Sequence, residues 1–389
     1  MPKVIPSSSA LRLIVIAQFL GTSLWFAGNA AAPEWELLLN KQGITPMITS
    51  IVQLGFITGT LLYALGSIPD RYSPSKVFLF SAILASLSNL CILAFPLSYP
   101  IILSCRFLVG FFLAGIYPVG MKIAADYFEK GLGSALGYLV GALVLGTAFP
   151  FLLKALELSF SWKSILLSTS SLALIGGAMI GFGVPDGPFR KINPKLDFSL
   201  FPKFRRNNQL KGAASGYFGH MWELYTFWAF LPAMIYFLTD EEISSTRLAL
   251  WTFSVIGVGG ISCAIGGKIA TLTSSQKVAM VSLIGSGLCG FLYLIGIDLP
   301  RGLIFPFLLV WGIFVTADSP QFSTLVAQSV LPENRGTALT LVNCLGFGLT
   351  IVSIQFTQFL SKFLEPQYYF GLLAVGPLIG VVLFRFFRK

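Results

Sequence analysis

The sequence is short of charge. Only 11% of its 389 residues are Asp, Glu, Lys or Arg, against 55% hydrophobic, where ordinary soluble domains carry roughly a quarter charged residues. So few charges do not cover a soluble surface, and the chain is read as an integral membrane protein. Histidine is scarcer still. His220 stands alone, so metal chemistry is a poor reading and no metal is expected. The five cysteines, Cys91, Cys105, Cys263, Cys289 and Cys344, fall singly inside apolar runs. No spacing among them suits zinc or a redox pair, and small buried hydrophobes are their expected role. A glycine-rich nucleotide loop and a Ser/His/Asp arrangement are both missing, which disfavours a membrane enzyme; no cofactor is expected. Acidic residues are in deficit as well, 16 against 26 basic, for a net charge of +10. The basic residues flank apolar runs, so the excess is a topology signal and not a nucleic-acid surface.

What is present is a succession of apolar runs. The length accommodates about twelve spans of ~20 residues joined by short loops. Residues 1–32 have the outline of a secretory signal, with Lys3 and Arg12 ahead of an apolar run and Ala30, Ala31 and Ala32 as a small-residue site. The polar pattern argues otherwise. Gln18, Thr22, Trp25 and Asn29 recur at steps of four, three and four, which is one face of a helix. Span 1 is therefore expected over 11–32, with Glu34, Trp35 and Glu36 at the outer interface. Spans 2 to 6 are expected over 47–66, 76–95, 101–126, 131–153 and 162–184. Residues 185–211 are rich in Lys and Arg and hold no long apolar run. They form a basic linker between two halves, 1–184 and 212–389. Spans 7 to 12 are expected over 212–237, 245–270, 277–297, 303–325, 336–360 and 366–384, with an acidic outer turn at Asp240, Glu241 and Glu242.

With the N-terminus inside, the inner segments hold nineteen Lys and Arg, and the outer ones hold six: Lys41, Lys154, Lys163, Arg247, Arg301 and Lys362. The bias places both ends in the cytoplasm. The halves also echo each other. Pro118 precedes Gly133-Ser-Ala-Leu136 much as Pro320 precedes Gly336-Thr-Ala-Leu339, and Gly21 to Trp25 answers Gly219 to Trp222.

Between spans 2 and 3 lies a polar knot running from Gly66 to Lys76, with two prolines and three serines. Gly66, Asp70, Arg71 and Lys76 resemble the corresponding loop of the major facilitator superfamily, which reads roughly G-x-x-x-D-[RK]-x-G-[RK]-[RK]. Ser73 departs from the family's usual glycine, and the second-half counterpart at Gly266-Gly-Lys268 has lost the Asp. The resemblance implies an all-α fold of twelve transmembrane helices in two six-helix pseudo-repeats, and a monomer. It also implies that Asp70 acts as a cytoplasmic gate, pairing with neighbouring helix ends and stabilising the outward-open state. Without the resemblance, the knot is a solvated turn that sets topology.

Polar residues inside the spans each need a reason, because a charge at the bilayer centre costs about 2.5–3.5 kcal/mol on insertion scales. Spacing puts them in stripes on spans 1, 4, 7 and 10: Arg106, Gly110, Ala114, Tyr117 and Met121 on span 4, His220, Glu223 and Phe227 on span 7, and Trp311, Phe314, Asp318 and Gln321 on span 10. In major facilitators these four spans line the central cavity. The expected cavity set is Gln18, Trp25, Asn29, Gln53, Arg106, Tyr117, Trp222, Tyr225, Trp311, Gln321 and Asn343. Arg106 is open to two readings, a cavity cation or a side chain snorkelling to the outer headgroups. Glu223 is the sharpest proton-coupling candidate, since a carboxyl in apolar surroundings exchanges its proton near neutrality. His220 is one turn away and is placed to share the proton. Asp318 either caps a helix break before Pro320 or pairs with a cation such as Arg106.

Span 5 lacks the G-P-x-x-G-G element of drug–proton antiporters. Nitrate porters hold their anion with arginines in spans 2 and 8, where this chain has Gln53 and only Arg247. Tyr117 through Gly146 resemble the bacterial cyanate and nitrate-related branch loosely. The expectation is a secondary transporter of the bacterial inner membrane, moving a small organic anion or zwitterion by proton-coupled alternating access, with sodium coupling left open. The alternatives are an exporter of amphipathic compounds and a non-transporting membrane receptor.

Overall fold

The computed structural model describes residues 6–128, 132–156, 161–190, 201–240, 242–296 and 299–388. The middle of the basic linker, with Lys191 and Lys195, and Glu241 of the acidic turn lie outside these residues. Among them the regular structure is all helical. Eleven helical segments are long and apolar enough to cross a bilayer. The twelfth, Asn208–Leu238, has 31 residues, more than enough at 1.5 Å per residue. It fails only on apolarity, because it carries His220, Glu223 and several Tyr and Trp.

The chain divides into two compact units, Met1–Lys195 and Leu196–Lys389. Each has the same internal plan. In the first, span 2 packs on 4, 3 on 6 and 4, and 1 on 5 and 6; in the second, span 8 packs on 10, 9 on 12 and 10, and 7 on 11 and 12. The tightest of these crossings is made by glycine. A Cβ on Gly110 of span 4 falls onto the Val52 carbonyl of span 2, and one on Gly312 of span 10 falls onto the Val255 carbonyl of span 8. Backbone cannot move aside as a side chain can. Gly110→Val is therefore expected to cost about 3 kcal/mol, the upper end of overpacking penalties, seen as a lower thermal midpoint in detergent. Gly348→Ala is the control, since nothing lies within 4 Å of its Cβ.

Among the described residues four spans are interrupted, span 12 by a 3-10 turn at Leu372–Ala374 between Pro366–Gly371 and Val375–Phe387. Span 4 consists of Tyr99–Leu113 and Tyr117–Tyr127, and span 10 of Arg301–Ala317 and Ser319–Gln328. In both, the second helix restarts with proline at its second position, Pro118 or Pro320. Proline has no N–H to donate and disfavours helix in the residue before it, so the break falls just upstream. Span 1 breaks between Ser7–Thr22 and Ala27–Leu39, which sequence did not suggest. No proline marks this break. Thr22 Oγ1 and Ser23 Oγ instead donate back to the Gln18 and Leu20 carbonyls at 2.8 and 2.7 Å, competing with the helical ladder. Its counterpart, span 7, runs unbroken.

Other boundaries shift for local reasons. Span 1 continues to Leu39 instead of stopping at Ala32. Trp35 is buried, edge-on to Trp162 at 5.8 Å, so its ring packs inside the unit. Glu34 and Glu36 accept from the backbone N–H of Trp162 and Ile44, each at 2.9 Å. Span 9 stops at Leu294, where Gly296 takes a left-handed φ of 69° that ends a helix cheaply only in glycine.

Candidate functional site

In the C-terminal unit, three titratable side chains meet between spans 7 and 10. His220 and Glu223 are three residues apart and so share a helix face. His220 Nδ1 lies 2.8 Å from Asp318 Oδ1, with both side chains fully buried. Glu223 Oε1 accepts the indole N–H of Trp311 at 2.7 Å, and Ser286 of span 9 is its other polar neighbour. Trp311 is itself packed against Phe227 at 4.9 Å, Tyr293 at 5.9 Å and Phe307 at 5.9 Å. The break in span 10 sets Asp318 where it meets His220. Asp318 does not cap that break, since its side chain makes no capping bond; the side chain it meets within the unit is His220.

The chemistry of this cluster is unusual for buried acids. Neither Glu223 nor Asp318 is paired with lysine or arginine among the described residues. The Glu223–Trp311 and His220–Asp318 pairs thus set two buried acids, each with an N–H-bearing ring as partner, between spans 7 and 10.

The aromatic and amide residues assigned to the cavity divide. Trp222 and Tyr225 look towards span 11, where Trp222 packs on Phe356 at 6.0 Å and Tyr225 on Phe347 at 5.4 Å. Trp222 is half-buried, as is Asn343, while Tyr225 and Gln321 are buried. Gln321 lies in the first turn after the break, its backbone N–H bonded to the Asp318 carbonyl at 3.0 Å.

In the N-terminal unit Arg106 is fully buried, which overturns the snorkelling reading. Its guanidinium donates to the Leu24 and Trp25 carbonyls at 2.8 and 2.6 Å, and to Asn89 Oδ1 at 2.9 Å. It thereby fills the carbonyls freed where span 1 breaks. Asn89 of span 3 donates in turn to the Leu166 carbonyl at 3.2 Å and to Ser170 Oγ at 3.0 Å. Asn29 donates to Thr49 Oγ1 at 2.8 Å, tying span 1 to span 2. Trp25 packs on Phe56 with ring centroids 4.9 Å apart and the planes tilted by 50°. Gln18 and Gln53 are fully buried and Tyr117 is half-buried beside the span 4 break. Asn89 and Ser286 escaped sequence reading. Asn89 lies one turn after Ser86 and Ser286 one turn after Ser282, and that short polar spacing was the available signal.

The loop between spans 2 and 3 is held by charge. Asp70 Oδ1 lies 2.9 Å from Lys122 Nζ near the end of span 4. Arg190 donates to the Asp70 and Tyr72 carbonyls at 3.0 and 2.7 Å and pairs with Asp186. Ser73 Oγ donates to Asp186 Oδ1 at 2.6 Å. Its φ of −59° has no need of glycine; the left-handed residue of the loop is Ser67, at 49°. Arg71 and Lys76 are exposed.

The family model of the Major Facilitator Superfamily matches residues 14–354. The chain belongs to the Major Facilitator Superfamily. This facilitator is accordingly a multi-pass membrane transporter that acts on a small-molecule substrate within the lipid bilayer. The match spans the loop at Asp70, the Arg106 clamp and the cluster of Glu223, His220 and Asp318, so all three lie within the matched family domain.

Proposed function

We propose that this facilitator is a proton-coupled secondary transporter for a small organic anion or zwitterion, working by alternating access in a bacterial inner membrane with both termini cytoplasmic. One observation carries the coupling: two fully buried acids, Glu223 and Asp318, have an indole and an imidazole as partners in place of a fixed cation. Their partners at hydrogen-bond distance are ring nitrogens, with the Ser286 hydroxyl also beside Glu223. Sodium prefers a shell of oxygen ligands, as hard cations do, so this donor set favours the proton. Arg106, with carbonyls and an amide as its partners, supplies positive charge beside the span 1 break, which favours a ligand with a negative group.

The test is a pH-sensitive dye in proteoliposomes challenged with small anions, amino acids and cations. The expected result is alkalinisation of the medium when one anion or zwitterion is added. A valinomycin-imposed potential separates the classes. A zwitterion moving with one proton carries net charge, worth about 2.3 kcal/mol per 100 mV, so its uptake accelerates. A monovalent anion moving with one proton is electroneutral and does not respond. Uptake driven by sodium with no proton movement would sink the reading.

A further inference from the structure

The C-terminal unit has an apolar groove on the outside of spans 8, 9 and 10, with a volume of about 450 Å³. Ile261, Ile265 and Ile269 of span 8, Val278 and Val281 of span 9 and Phe314 of span 10 line it. The side chains of Ile261, Ile265 and Val281 are each more than half exposed, so the groove opens away from the protein. In a chain that spans a bilayer, that side meets hydrocarbon. The groove ends at Thr273 and Lys277, and the charged side chains that spans 8 and 9 contribute at that end are all basic. Lys268 and Lys277 are exposed, and Arg388 joins them through a 2.7 Å hydrogen bond to Gln276. From Leu248 to Ile297 the sequence has no acidic residue. Span 9 also begins here, its first turn capped by Ser274, so its unpaired amides add positive potential.

We propose that this groove is a binding site for an anionic phospholipid, with an acyl chain along the isoleucine stripe and the phosphate at Lys277. The groove and the cluster are complementary to two parts of one molecule. An apolar slot alone suits any lipid, and a basic patch alone suits any anion. Their junction suits a molecule with a chain and a negative headgroup, as basic pockets at the ends of membrane helices do. The bound lipid would bridge spans 8 and 10 at the level of the span 10 break, so the membrane's anionic lipid content would bear on the element that carries Asp318.

Native mass spectrometry of the detergent-solubilised full chain tests this, with dioleoyl phosphatidylglycerol and dioleoyl phosphatidylcholine as the probes. The wild type is expected to retain phosphatidylglycerol about fivefold better, the contribution of one basic residue near a headgroup. Lys277→Glu should abolish that preference while keeping general lipid retention. Val281→Trp, at an exposed position in the slot, should lower retention of both lipids. Thermal midpoints of both variants within a few degrees of wild type show that they fold. Equal retention of the two lipids by wild type, or a preference that survives both substitutions, overturns the proposal. So does a dimer mass that Val281→Trp removes, since a second copy would then be the occupant.

Discussion

Replacing Glu223 by glutamine is expected to abolish substrate accumulation while leaving substrate exchange intact. Glutamine is nearly the same size as glutamate, and its amide oxygen still accepts the Trp311 indole N–H that Glu223 Oε1 takes at 2.7 Å. The substitution therefore removes the proton site without removing the hydrogen bond or opening a cavity. Concentrative uptake under a pH gradient should fall on the order of a hundredfold, the low end of what a positioned proton-transfer group contributes. Counterflow, which needs no net proton movement, should stay near the wild-type rate and lose its dependence on pH. Full-rate accumulation with an unchanged pH profile would show that Glu223 is a buried structural carboxyl. His220 and Asp318 serve as the internal comparison. Asp318→Asn keeps the side chain's size and an oxygen at the 2.8 Å contact with His220 Nδ1, so its phenotype reports the second proton position independently of packing.

What sequence made legible was length and polarity; what it hid was register. The twelve spans are visible because runs of about twenty apolar residues have few other uses, and even the polar span 7 stands out by its length. The breaks at Pro118 and Pro320 follow from a missing N–H and carry a mark in the sequence. The break at Ser23 carries none, since serine and threonine are ordinary in membrane helices, and its stability depends on Arg106, far along the chain in span 4. Stripes on spans 7 and 10 identified His220, Glu223 and Asp318, but a stripe says only which way a helix faces. Whether Asp318 meets His220 or an arginine depends on the vertical offset between two antiparallel helices, which helical periodicity does not contain. Asn89 was missed for the complementary reason. Serines such as Ser86 are ordinary in membrane helices, and only the fold reveals that Asn89 closes a chain from Arg106 to Ser170.

Arg106 is expected to matter more for stability than for substrate contact, and Arg106→Ala should lower the thermal midpoint by roughly 5–10 °C in detergent. The guanidinium satisfies three buried acceptors: the Leu24 and Trp25 carbonyls and Asn89 Oδ1. Each buried acceptor left without a donor costs about 1–3 kcal/mol. Removing a buried cation that has no acidic partner among the described residues recovers part of its desolvation cost, so the net loss is about 3 kcal/mol and not the full sum. Arg106→Lys should rescue only in part, because one ammonium cannot reproduce the planar fork that spans two adjacent carbonyls and an amide. Asn89→Ala should destabilise in the same direction. The double variant should cost less than the two singles together, since both act through one contact. An Arg106→Ala protein of unchanged midpoint that fails to bind substrate would reverse the assignment: the guanidinium would then be a ligand to the anion, and the break in span 1 would be held by the Thr22 and Ser23 hydroxyls alone.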